Sequence, residues 1–323
     1  MSRPVRSICE VVVLFATLLV GLTAQASETA GTDSPRAWLE KMGKALKEEN
    51  YEGIFTYMRG DQFDTVRVFH RYKDGKESER LVHLNGEKRE IIRDGDKLIC
   101  KHADADHVDL EHEIPMGPFT NAFNQNLSTY QDLYRLTLHG EDRIADRPAI
   151  KLGISPKHND RYGYRLWLDK QTGLLLQSHL VNRGRVLEVF QFAEVKIGEP
   201  ISNQELASSL PANAVSHELT PAIPQTASAD VRPNWKAAWV PDGFKAVRLP
   251  QPDRLLFTDG LATISVFVEE GEPAELPEMT MHMGGTVVIT KRVRDSARQI
   301  TVVGEVPVNT ARKVAESVER ATY

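Results

Sequence analysis

Asp160-Arg161-Tyr162-Gly163-Tyr164-Arg165-Leu166-Trp167-Leu168-Asp169-Lys170-Gln171-Thr172-Gly173-Leu174-Leu175-Leu176 decides the fold class of this chain. On a strand, successive side chains point to opposite faces. Tyr162, Tyr164, Leu166 and Leu168 therefore share one face, and Gly163, Arg165, Trp167 and Asp169 the other. Asp169 to Gly173 reads as a tight turn, and the chain returns through Leu174, Leu176, Ser178 and Leu180. Asn182-Arg183-Gly184-Arg185 turns it again into Val186–Phe192. Consecutive hairpins that keep one apolar face form an antiparallel meander, and that face has to be covered.

The same pattern extends outward. Ile54–Met58, Val66–Tyr72, Arg89–Arg93, Lys97–His102, Tyr134–His139 and Ala149–Ile154 are strand-like runs separated by Gly, Asp, Asn or Pro. No alternating helices supply the crossovers of a parallel sheet. Upstream, Ser34 before Pro35 is an N-cap followed by a proline at the first helical position. Trp38, Leu39, Met42, Ala45 and Leu46 then form one apolar stripe, and Asn50 ends the helix. A helix with one such stripe packs on something flat. Ile114 to Phe123, with two prolines, reads as a loop or short helix capping one mouth of the sheet; the competing reading is a plain packing loop. Ser202-Asn203-Gln204-Glu205 is a capping box for a short helix that ends before Pro211.

Residues 212–234 are rich in Pro, Ala, Ser and Thr without periodicity, which predicts a linker. A smaller domain follows over 235–323. Leu255–Phe257 and Ala262–Val268 flank Asp259-Gly260, a strong hairpin signal, with further strands at Gly285–Val293 and Gln299–Val303. Asn309 is the expected cap of a last helix bearing Ala311, Val314, Ala315 and Val318. The fold class is thus α+β: a large N-terminal antiparallel sheet with packed helices over 27–211, then a small α+β domain. A length of 323 residues agrees with two cores.

Arg3 and Arg6, the apolar run Val11–Leu22 and Ala24-Gln25-Ala26 have the anatomy of a signal peptide over residues 1–26. The run is shorter than the roughly 20 residues of a spanning helix. Export to the periplasm is the expectation. Cleavage would leave Cys100 alone, so no intramolecular disulfide is expected. The net charge of −5 argues against a nucleic-acid binder.

Signatures of catalysis are few: the chain has no G-x-S-x-G elbow, H-E-x-x-H helix, P-loop or dinucleotide-binding glycine pattern. His107, Asp109 and Glu111 would share a strand face, but Val108, Leu110 and Ile114 share the other, which is how a strand with one solvated side looks. Cys100 and His102 share a face without any nucleophile motif, and Cys100 reads as a small buried side chain. No catalytic residue, metal site or cofactor is assigned. An apolar concave sheet instead suits a hydrophobic ligand such as an acyl chain.

The segment Asp160–Asp169 with Thr172–Leu176 resembles the RseB/MucB family of periplasmic sigma-factor regulators, as do Trp239-Val240-Pro241-Asp242-Gly243-Phe244, Ser265–Glu269 and Gln299–Pro307. The resemblance covers nearly all the chain after residue 26. It implies that the large domain is an unclosed β-barrel similar to the lipoprotein carriers LolA and LolB. It also implies binding to the periplasmic part of a membrane anti-sigma factor (RseA or MucA type), shielding that factor from site-one proteolysis. Lipid-type ligands, including lipopolysaccharide, would release it. The competing class is a periplasmic lipid or lipoprotein carrier of the LolA/LolB type, which would not need residues 235–323.

Candidate residues follow from pattern and resemblance together. Tyr164, Leu166, Leu174 and Leu176 are expected inside a lipid pocket, with Phe119 and Phe123 near its entrance. The competing reading is that the face is filled by its own side chains. Trp239 and Phe244 flank Pro241-Asp242-Gly243, and a turn there would present both aromatics to the partner; alternatively both are core. The sequence leaves self-association open.

Overall fold

The computed structural model describes residues 34–95, 97–103, 130–218, 232–270, 278–293 and 298–322. The expected signal peptide, the His107–Glu111 run, Phe119, Phe123 and most of the linker lie outside the described residues.

Helix α1 (Pro35–Glu48) starts as its sequence dictates: the Ser34 hydroxyl accepts from the Ala37 N–H, and Pro35 opens the first turn. Its stripe Trp38, Leu39, Met42 and Ala45 is buried. Five strands follow as an antiparallel meander: β1 (Tyr51–Arg59), β2 (Gln62–Lys73), β3 (Lys76–His83), β4 (Arg89–Asp94) and β5 (Lys97–His102). After the short helix α2 (Tyr130–Leu133) a second meander runs through β6 (Tyr134–Ile144), β7 (Arg147–Pro156), β8 (Gly163–Asp169), β9 (Leu175–Asn182) and β10 (Arg185–Ile197). Pairing of β1 with β10 joins the two meanders. The capping box at Ser202 forms and starts α3 (Asn203–Leu206). The chain then adds β11 (Val215–Glu218) beside β5, giving one 11-stranded sheet in the order β11-β5-β4-β3-β2-β1-β10-β9-β8-β7-β6. Its two ends, β11 and β6, do not pair, so the barrel is unclosed.

Two expectations are corrected here, and one strand is added. Residues 215–218 belong to the sheet, not to a featureless linker, because their N–H and C=O groups complete the open side of β5. β3 escaped notice because Lys76, Glu77, Glu79 and Arg80 hide its period. The simple alternation of the β8–β9 hairpin also fails locally: the register slips between Trp167 and Leu168, where Leu168 pairs with Leu175. A bulge puts one extra residue on one strand. Leu175, not Leu176, therefore packs beside Leu166 and Leu168, and Leu176 turns to Ala149 and Trp167.

The second sheet has six strands in the order β13-β14-β15-β18-β17-β16: β13 (Lys245–Val247), β14 (Arg254–Thr258), β15 (Thr263–Glu270), β16 (Met279–Met283), β17 (Thr286–Val293) and β18 (Arg298–Gly304). β12 (Trp235–Ala237) pairs with β19 (Val318–Arg320) beside it. Helix α4 (Val308–Glu316) begins with Pro307 at the N-cap and no side-chain cap. Asn309 lies inside its first turn and accepts from Arg312 instead, and Val318 opens β19. Ala311, Val314 and Ala315 bury against Ile264, Val287 and Val302.

Candidate functional site

The concave face of the large sheet is closed from two directions. From the N-terminal side, α1 lays Trp38, Leu39 and Met42 on Leu152, Ile154, Tyr164, Leu166 and Leu168. From the second sheet, the β14–β15 hairpin delivers Leu261 into the same cluster. The Asp259-Gly260 turn signal thus marks the point where one domain enters the other.

Asp259 holds that tip in place. Its Oδ1 accepts from the N–H groups of Leu261 and Ala262 at 2.9 and 2.8 Å. Its Oδ2 accepts from Tyr134 Oη and from Arg161 Nη1, both at 2.8 Å. The Arg161 and Asp259 side chains are fully buried. Arg161 also donates to Asp160 and to the Asp242 carbonyl, and its guanidinium lies 5.3 Å from the centre of the Phe244 ring. A buried charge pair costs much in desolvation, and excellent geometry repays it. Burial and the Asp259 charge push the Tyr134 hydroxyl well above its usual range, so it stays a donor.

A second margin of the same interface is built differently. The β16–β17 turn presses Gly284 and Gly285 against the large sheet. Gly284 has φ of +58°, and a Cβ there would fall on the Arg59 and Glu188 side chains; one at Gly285 would fall on Leu180. The Gly285 N–H donates to Glu188 Oε1 at 2.8 Å, and Tyr57 Oη donates to the other Glu188 oxygen. Nearby, the Glu305 carboxyl is pushed up to about 7, by burial first and by the Glu188 charge second; Arg59 opposes this. Tyr57, Tyr164, Ser178, Leu180, Glu188, Phe190 and Glu305 line a cleft with room for about one water.

The pocket candidates separate accordingly. Leu166 is wholly buried in the cluster under α1, and Tyr164 joins that cluster while also lining the cleft. Leu174 packs in the neighbouring cluster with Ala45, Tyr51 and Phe55, and Leu176 lies with Trp167. Of the aromatic pair, Phe244 is buried at 7% exposure in the small domain's core. The turn between them faces inward: Gly243, at φ of +84°, sits so near Leu133 that a Cβ would overlap it. Trp239 is partly buried, with Lys313 Nζ 3.8 Å above its ring. Sequence reasoning missed Arg161, Asp259, Leu261, Glu188 and Glu305. Only the Asp259-Gly260 turn signalled any of them.

The fold and this interface define a two-domain, mostly β protein whose central feature is a packed junction between two sheets. The chain belongs to the MucB/RseB family. Residues 34–210 match the MucB/RseB N-terminal domain and residues 229–319 the MucB/RseB C-terminal domain. It is 33% identical over 315 residues to the sigma factor AlgU regulatory protein MucB of Pseudomonas aeruginosa, covering 93% of this chain and 95% of that one. To the sigma-E factor regulatory protein RseB of Escherichia coli K12 it is 26% identical over 314 residues, covering 94% and 96%. The crystal structure of MucB in complex with MucA(peri) matches with a TM-score of 0.72 and 32% identity, over 90% of this chain and all of that one. The relatives are thus named as regulatory proteins. Among the described residues no helix is long and apolar enough to cross a membrane.

Proposed function

We propose that this protein is a periplasmic negative regulator of an envelope-stress or alginate sigma factor. It binds the periplasmic part of a transmembrane anti-sigma factor and shields it from site-one proteolysis. One observation carries the reading: both sheets match MucB over nearly their full length, and the matching structure is a MucB complex with MucA(peri). The geometry is compatible with strand addition. β6 and β16 are outer edges, their residues are largely exposed, and Met281 on β16 is 54% exposed. Exposed edges accept an extended chain through main-chain hydrogen bonds. Trp239 and Phe244 contribute by holding the small domain in shape for the partner.

Lipid-type ligands act as the release signal in this reading. With Leu166 sealed beneath α1, an acyl chain enters at the cleft beside Tyr164, Leu180 and Phe190 and widens it. A ligand that prefers the partner-free form shifts the population away from the complex, and the partner weakens ligand binding by the same factor. The linker after β11 would let the domains change their placement.

The test is calorimetry of the purified chain with the periplasmic segment of its organism's MucA-type protein, alongside digestion of that segment by a site-one protease. Tight binding with slowed digestion is expected. Failure to bind removes the proposal, and capture of a set of lipoproteins from envelope extract would favour the carrier instead. Adding lipopolysaccharide to the complex tests release alone; an unaffected complex removes the lipid step and leaves partner binding standing.

A further inference from the structure

β11 carries His217 to a place that the sequence did not disclose. His217 is the register partner of Cys100, and Cys100 and His102, two apart on β5, share that face. Cys100 is 1% exposed and His102 4%. Cys100 Sγ lies 3.1 Å from His102 Nε2, and the rings of His102 and His217 stack with centres 5.1 Å apart. One ligating atom from each of the three residues lies within 4.8 Å of the other two. Behind the cluster, His102 Nδ1 faces Glu87 Oε1 at 3.3 Å.

We propose that Cys100, His102 and His217 bind a thiophilic divalent cation, Zn2+ in the first place. A thiolate with two imidazoles is the donor set of a borderline-soft ion, whereas Mg2+ and Ca2+ take oxygen. Tetrahedral zinc, with sulfur at about 2.3 Å and nitrogen at about 2.0–2.1 Å, separates those two donors by about 3.6 Å. The observed 3.1 Å opens to that value through a movement of roughly half an ångström, a side-chain adjustment. Glu87 supplies the carboxylate that orients a metal-bound histidine through its other ring nitrogen. Arg89, opposite His102 in the register, directs its guanidinium to His83 Nε2 at 3.1 Å. Binding exchanges one proton for the metal: the Cys100 S–H bond breaks, a sulfur–metal bond forms, and the proton leaves to solvent. The thiolate and the Glu87 carboxylate together balance the two positive charges. A bound ion ties the edge strand β11 to β5, directly before the segment that leads to the second domain.

The experiment titrates the purified full chain with Co2+, as a spectroscopic substitute, and then with Zn2+ as competitor. One Co2+ per chain is expected, with a thiolate-to-metal charge-transfer band and tetrahedral ligand-field bands, all displaced by Zn2+. Cys100→Ser should abolish the charge-transfer band. His217→Gln, on the exposed edge, should keep the far-UV circular dichroism of the parent and weaken Zn2+ binding at least ~10-fold. Glu87→Gln should keep the band and weaken binding by about 10-fold, the usual size of a loss behind a metal ligand. His139→Gln, on β6, should change nothing. No charge-transfer band in the folded parent overturns the proposal. So does a band that survives Cys100→Ser, or unchanged Zn2+ affinity in His217→Gln.

Discussion

The two margins of the interdomain contact solve the same problem with opposite chemistry. At one, Leu261 fills apolar space under α1, and every ionised group has a partner: Arg161 meets Asp259, Asp160 and a carbonyl, and Asp259 takes four donors. At the other, Glu188 and Glu305 face a cleft together, with Arg59 as the opposing charge and two glycines closing the contact. The first margin is a lock, since shape and charge satisfaction coincide there. The second responds to its surroundings, because the Glu305 carboxyl, held at about 7, changes its charge state near neutral pH.

The most severe loss should follow from disrupting the surface on which the lock rests. Leu166→Asp removes packing worth about 2–5 kcal/mol and adds a buried charge without a partner, several kcal/mol more. Together these rival the whole stability of a domain, about 5–15 kcal/mol. The variant should yield no cooperatively folded large domain by circular dichroism. A folded variant with native near-UV signal would show that the face is open space, and that the first margin is not locked by packing.

Next comes the lock itself. Arg161→Ala leaves the Asp259 carboxylate buried with the Tyr134 hydroxyl and two N–H groups but no cation, at a cost of about 3–5 kcal/mol. Replacing both partners, Arg161→Met with Asp259→Asn, should cost less than the single change, because no charge is then stranded. Denaturant unfolding of both variants measures this. If Arg161→Ala matches the parent, the ion pair is not what joins the domains.

How much of this was legible in the sequence depends on whether a local pattern carried it. Ser34 with Pro35, the Ser202 capping box and Asp259-Gly260 each act within a few residues, and each forms as read. The chain's membership of the family was also legible, since the quoted motifs span both matched domains. The bulge beside Leu176 was not, because period two carries no sign of where a register slips. β11 was not, because a four-residue edge strand is specified by the open side of β5 rather than by its own composition. Arg161, Glu305 and His217 were invisible for a related reason: their partners are distant along the chain, so only the assembled fold brings each pair together.

The responsive margin is tested first through its backbone. Gly284→Ala places a Cβ on Arg59 and Glu188 at a positive φ, which should cost about 1–3 kcal/mol. The loss should appear as earlier separation of the two domains, read as a split or broadened calorimetric transition. A single sharp transition at the parent temperature would mean that the β16–β17 turn does not bear on the contact.

The smallest effect is the most diagnostic. Glu305 has its carboxyl held at about 7 in the folded chain, by burial and by Glu188, against an ordinary value of 4.5. The folded state therefore keeps its proton over a range in which the unfolded chain has lost it. The stability this contributes is complete below about 4.5, and it is lost as the pH rises through about 7. Glu305 keeps partial exposure, so solvent screening reduces the full linkage value to about 1–2 kcal/mol. Glu305→Gln preserves the shape and removes the titration. It should therefore be more stable than the parent at pH 8 by about that amount, nearly equal to it at pH 4, and flatter between. Denaturant midpoints at a series of pH values give the answer. A parent whose stability does not fall between pH 5 and 8 relative to Glu305→Gln would place Glu305 in an ordinary solvated setting, and the two margins would then differ in shape alone.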